Sequence, residues 1–451
     1  MKVNTFTTLL LTAILLISGN SCRDSEYVLP GEYTIIRDNG GGTGTTTWTS
    51  DKQYLLDGHV FVNDGQVLTI EAGTVIRSNT GQRHNASALI VARGGQIIAR
   101  GTASDPIIFT VEGDDLDGSV PIEANGLWGG VIILGNAPVN TANGENMIEG
   151  ITSDEPRGVY GGDNKTDNSG VFRYVSIRHG GTRIGEGDEI NGLTLGGVGS
   201  GTTLEYVEVI SNRDDGFEFF GGTVNGRYLL SAFCGDDAFD FDLGYQGKCQ
   251  FIAGLQAGAT GDLLFELSDR EGYPETRPII ANATLAGRGV DENGQTARFD
   301  NSSAGTIVNS LFMHQKQGID IEYSGDNLDS YQQFLNGRIR MLNNVFHMVG
   351  NNSALHIFGV YSHNLVDVTA QDEIVSAHFS EGNNILKDPE IDYNPQFIDQ
   401  MDLRPSNNTG MGDTAILEDN WFEAVDYKGA FGKNNWLKNW SILDRRGYLK
   451  N

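Results

Sequence analysis

The chain has 451 residues, 59 acidic against 31 basic, and a formal net charge of −28 at pH 7. Binding to phosphate backbones needs a basic surface, so this balance excludes nucleic acid as a partner and favours metal cations or neutral sugars. Sixty glycines and the lack of long amphipathic patterns exclude the helical classes and point to strands and turns.

Met1 and Lys2 precede the apolar run Leu9 to Ile17, and small and polar residues Ser18 to Ser21 lead to Cys22. This is the layout of a secretory signal, with an apolar core far shorter than the roughly 20 residues of a membrane-spanning helix. Ser21-Cys22 resembles a bacterial lipobox, with Gly19 where that motif usually has Leu. The resemblance implies that residues 1–21 are removed, that Cys22 is acylated (palmitate among its chains), and that the protein is anchored in the outer membrane of a Gram-negative envelope. Acidic residues just after the cysteine, here Asp24 and Glu26, accompany export to the outer face in some such lipoproteins, and which leaflet this chain faces stays open. Residues 22–50, with the Gly/Thr-rich run Gly40 to Thr47, are expected to be a flexible tether.

Short β-rich runs follow: Val60 to Val62, Val67 to Ile70, Leu89 to Val91, Ile107 to Thr110, Val131 to Leu134, Phe172 to Ile177, Leu204 to Ile210 and Tyr228 to Phe233. Internal echoes decide the architecture. Ile70 to Thr74 returns as Ile98 to Thr102 at an offset of 28, Asp214 to Phe219 as Asp236 to Phe241 at 22, and Ile280 to Leu285 as Ile307 to Phe312 at 27. One such period cannot bury its own apolar edge, so successive coils stack with like side chains in columns. The fold class is therefore all-β, a right-handed parallel β-helix over residues 51–405, with Asn282, Asn309 and Asn343 in one internal amide column. Residues 406–451, with Trp421, Trp436 and Trp440, are expected to close the last coil as a C-terminal cap.

Leu68 to Thr74, Leu127 to Gly135 and Val425 to Phe431 give the chain a resemblance to the pectin-lyase-like superfamily of parallel β-helices, and within it to bacterial envelope lipoproteins. The resemblance implies architecture more than chemistry.

The acidic centre lies between Asp214 and Asp242. In Phe217-Glu218-Phe219 and Phe239-Asp240-Phe241 aromatic and acidic residues alternate, which sends rings inward and carboxylates outward. In register, Glu218, Asp240, Glu266 and Asp320 would form one outward column. Carboxylates about 4.8 Å apart repel by roughly 3 kcal/mol at an effective dielectric near 20, so a cation, an arginine or protonation has to offset the charge. Asp214, Asp215, Glu218, Asp236, Asp237, Asp240 and Asp242 are oxygen donors without paired histidines, which selects a hard cation such as Ca²⁺. Asn212-Arg213-Asp214 followed by Gly235-Asp236-Asp237 also resembles two motifs of the polygalacturonases, which would make Asp214, Asp236 and Asp237 the catalytic acid and base groups; the family's later Gly-His-Gly has no counterpart. Cys234 and Cys249 are an even pair in an oxidising compartment, expected as a disulfide with two buried thiols as the alternative. The leading functional expectation is a surface protein that binds polysaccharide or a related nutrient beside an outer-membrane uptake complex. A polysaccharide hydrolase or lyase is the second, and a structural adhesin or spacer the third.

Overall fold

The computed structural model describes residues 33–450 apart from 83–84, 184–188, 259, 271, 326–327 and 407–409. Cys22 and the first part of the expected tether lie outside the described residues. Strands stack in parallel ladders along the chain, and one continuous ladder runs from His59–Val62 to Phe358–Tyr361. The other two faces merge, because strands such as Thr203–Ile210, Asn225–Ala232 and Lys248–Leu255 each run along both.

Each of these long strands turns its corner at one left-handed residue. Tyr174, Tyr206, Tyr228 and Phe251 have φ between 49° and 57°, a region that is costly for bulky side chains. Stacking offsets the cost: the rings of Tyr174 and Tyr206 lie 4.4 Å apart, those of Tyr206 and Tyr228 4.4 Å, and those of Tyr228 and Phe251 5.1 Å. In later coils the same corner passes to Asn282, Asn309 and Asn343, with φ of 53°, 56° and 56°, asparagine being the side chain that tolerates this region best.

The interior follows the period-two reading. Phe217 pairs with Phe239 and Glu218 with Asp240, a register offset of 22, and the inward rings stack at 5.1 Å for both Phe217–Phe239 and Phe219–Phe241. Ile280 pairs with Ile307, the offset of 27. The offset of 28 is corrected to 29, since Ile70 pairs with Ala99. The buried residues Leu68 and Ile70 must meet the buried Ile97 and Ala99, and a slip of one would turn every side chain to the wrong face.

Four further expectations are corrected. The tether does not extend to residue 50: Thr34–Ile36 pairs with Gln53–Leu56 and Thr46–Trp48 with Val67–Ile70, so the solenoid begins before the Gly/Thr run. The three asparagines share a column, but their amides point outward, donating to the carbonyls of Tyr427, Ala415 and Asp413. The inward ladder lies one residue on, where the Ala283 amide donates to Ser310 Oγ, the Ser310 amide to Asn344 Oδ1 and the Asn344 amide to Asn384 Oδ1. Cys234 and Cys249 are buried free thiols. Cys249 pairs in register with Gly226 and Ile280 and sits near the Tyr245 hydroxyl, whereas Cys234 lies at the far end of its coil against Ser231.

The C-terminal residues do not close the last coil. That end is covered by the helix Thr369–Glu381, whose Phe379 lies 6.0 Å from both Phe346 and Phe358. The segment from about residue 411 instead straps the corner column. It passes Asn309 at Ala415 and Gln250 at Glu423, doubles back to Asn282 at Tyr427, and then sets Trp436 and Trp440 edge-on against Tyr228, Tyr206 and Tyr174. The Ile442 amide donates to the buried Glu208, and Arg446 reaches Val120 O. This fixes the strap across the early coils.

Candidate functional site

The acidic centre lies where the corner after Thr203–Ile210 and its successors leads into the third face. Asn212 closes the first turn by donating from Nδ2 to Ile190 O (3.1 Å) and Asp215 O (2.9 Å). A ladder of side-chain acceptors then links the coils. Asn191 Oδ1 receives the Asp215 amide (3.3 Å), Asp215 Oδ1 the Asp237 amide (2.9 Å), and Asp237 Oδ1 the Leu263 amide (2.7 Å). Asp215 and Asp237 are consequently buried, while their neighbours Asp214 and Asp236 reach solvent.

Carboxyl oxygens converge in three groups among the described residues, each with its atoms within 4.8 Å of one another: Asp214, Asp215 and Asp236; Asp215, Glu218 and Asp240; Asp236, Asp237 and Asp262. The groups share Asp215 and Asp236, so they form one continuous patch across three coils. Glu218 is covered, and its partner is the Asn191 amide. Asp240 Oδ1 is enclosed without a hydrogen-bond donor among the described residues, which carries a cost of about 1–3 kcal/mol for a polar atom left unsatisfied.

Burial is the first cause that pushes these carboxyls up, and neighbouring negative charge is the second. Asp215 is raised well above its ordinary range by burial and by Asp214, Asp240 and Asp236; Glu218 by burial, Asp240 and Glu149; Asp237 by burial, Asp215 and Glu266; Asp240 by burial, Glu266 and Asp242. Asp236 is raised too, by burial, Asp262 and Glu266.

The outward column runs in the expected order, Glu218, Asp240, Glu266, then Asp320, with Arg298 inserted between the last two. Arg298 donates to Glu266 Oε1 (2.9 Å) and Asp300 Oδ2 (2.6 Å) and so neutralises the lower end of the column. Asp242 stands apart from the three groups. Its Oδ1 receives the Leu243 amide, and it lines a neighbouring groove of about 510 Å³ with Asp269, Arg270, Asn301 and Glu322.

Sequence reasoning missed Asp262, Asn191 and Glu149. Asp262 had a signal: Gly261-Asp262 repeats Gly235-Asp236 one coil later. Asn191 and Glu149 arrive from segments without that repeat. Chemically, the patch is an all-oxygen donor set with excess negative charge, suited to a hard divalent cation or to shared protons.

A family model described as a pectate-lyase-like β-helix domain matches residues 40–385. No curated protein matches the chain, and no solved structure does.

Proposed function

The chain belongs to the pectate-lyase-like β-helix family, and from that membership we propose that it binds polysaccharide along the acidic face, through divalent cations held in the linked groups that Asp214, Asp215, Glu218, Asp236, Asp240 and Asp262 form. The observation that carries this reading is the convergence of carboxyl oxygens within 4.8 Å in linked groups. Ca²⁺ fits best, because it takes six to eight oxygens in flexible geometry, whereas Mg²⁺ demands a regular octahedron. A bound cation would remove the mutual repulsion and present open coordination positions to the hydroxyl or carboxylate oxygens of a glycan. Attachment through Cys22 to the outer membrane, next to an uptake complex, completes the proposal.

The test is binding of uncharged glycans on an array with Ca²⁺ or with chelator. Binding that requires Ca²⁺ and disappears in Asp214→Asn with Asp236→Asn supports the reading, and binding indifferent to both refutes it. Metabolic labelling with a clickable palmitate, present in the wild type and absent in Cys22→Ser, tests the anchor.

Hydrolysis is the second reading, favoured by one feature: Asp214 and Asp236 both reach solvent on adjacent coils. Asp237 is buried with Oδ1 occupied by the Leu263 amide, so this reading rests on Asp214 and Asp236. New reducing ends that vanish with Asp236→Asn would establish this reading.

A further inference from the structure

The aromatic corner column ends abruptly at its N-terminal side. Tyr174 stacks on Tyr206 at 4.4 Å with its first face, and Trp440 meets it edge-on at 5.7 Å. In the preceding coil Arg100 is the register partner of Arg173, so the corner residue beside Tyr174 is Gly101. A Cβ at Gly101 would come within 2.4 Å of Tyr174 O, so glycine is required by the close approach of the two backbones. It also leaves no ring beyond Tyr174 at this end of the ladder.

A groove of about 410 Å³ lies at this point, lined by Arg100, Gly101, Ala103, Arg173, Tyr174 and Thr203, among others. That volume falls in the usual range for small-ligand sites.

The charge of this groove is opposite to that of the molecule. Arg100 and Arg173 stand on adjacent parallel strands at one register position, a like-charge juxtaposition in a chain of net charge −28. Arg173 lies 3.6 Å from Glu205, and this is a half-exposed pair of little strength. Arg100 is exposed and makes no ion pair among the described residues. The Arg173 guanidinium is 5.6 Å from the Tyr174 ring centre and 5.7 Å from that of Tyr206, so it flanks the end of the ring stack.

We propose that this groove is a second glycan subsite, in which Tyr174 stacks against the apolar face of a sugar ring and Arg100 and Arg173 hold its anionic substituent, a carboxylate or sulfate. The inference rests on the polysaccharide reading above but uses another face and needs no cation. Planar guanidinium forks suit both oxyanions, and an aromatic face at the end of a stack offers area at little entropic cost.

The probes are a glucuronate-bearing tetrasaccharide, its methyl ester, and a sulfated tetrasaccharide of otherwise neutral sugars, titrated calorimetrically against the full chain in chelator. The account expects binding of at least one anionic probe, a tenfold or greater loss for the methyl ester where the carboxylated probe binds, and the same loss in Arg100→Gln with Arg173→Gln. The tighter of the two anionic probes identifies the substituent. Tyr174→Leu should weaken every probe that binds. Binding present in chelator, where the acidic face can hold no cation, separates this site from the acidic face. No binding in chelator, or binding unchanged in the arginine variant of unaltered thermal midpoint, overturns the proposal whatever the acidic face does.

Discussion

The corner column and the acidic face are built from the same repeat, yet they satisfy their polar groups in opposite ways. At the corner the chain supplies its own partners: Asn309 exchanges two hydrogen bonds with Ala415, and Gln250 two with Glu423. On the acidic face carboxyls meet carboxyls, and Asp240 Oδ1 has no donor among the described residues. A region completed by its own strap is structural, whereas a region with concentrated like charge carries a repulsion that a bound cation would relieve.

The sharpest way to break this contrast is to damage the strap. Trp440 is fully buried against Tyr174 and Tyr206, and Trp440→Ala should cost about 3–5 kcal/mol in denaturant unfolding. A loss below about 1 kcal/mol would show that the strap is dispensable. Asn309→Ala removes both bonds to Ala415 and puts a Cβ without a compensating amide at φ 56°. Its expected cost is roughly 2–3 kcal/mol.

The acidic face should respond to pH. Burial is the leading cause that pushes Asp300 and Asp320 up to about 6 and Asp269 up to about 7, and the carboxyls of the patch are raised as well. A carboxyl protonated in the folded chain and ionised in the unfolded one makes the fold bind more protons between the two values, so stability falls as pH rises through that window. In chelator the thermal midpoint should therefore fall as pH climbs from about 4, the ordinary carboxylate value, to above 7. A midpoint rising over that range would contradict the assignment. The smallest effect concerns the thiols: Cys234 and Cys249 should be alkylated after denaturation without reductant, and reductant should leave the midpoint unchanged.

How much of this was legible follows from which features repeat. The Phe-Glu-Phe and Phe-Asp-Phe alternation gave the register, the inward rings and the outward carboxylates, because side-chain direction in a strand depends only on parity. The asparagine column was legible in position but not in direction, since one left-handed residue turns Asn282 and Asn309 out and Ser310 in. The strap was not legible at all. Ile442 meets Glu208 across 234 residues, and no periodicity announces a contact made once. The disulfide failed for a similar reason, because an even cysteine count says nothing about which ends of a coil the two thiols occupy.

The central claim, that the acidic face is a cation site, is tested most directly by unfolding the protein at pH 7 over a range of Ca²⁺ concentrations. The account predicts stabilisation that grows with the logarithm of free Ca²⁺, reaching about 2.7 kcal/mol at a hundredfold excess over the dissociation constant, and its loss in Glu218→Gln with Asp240→Asn. A midpoint that does not move with Ca²⁺, in a wild-type protein that unfolds cooperatively, would contradict it.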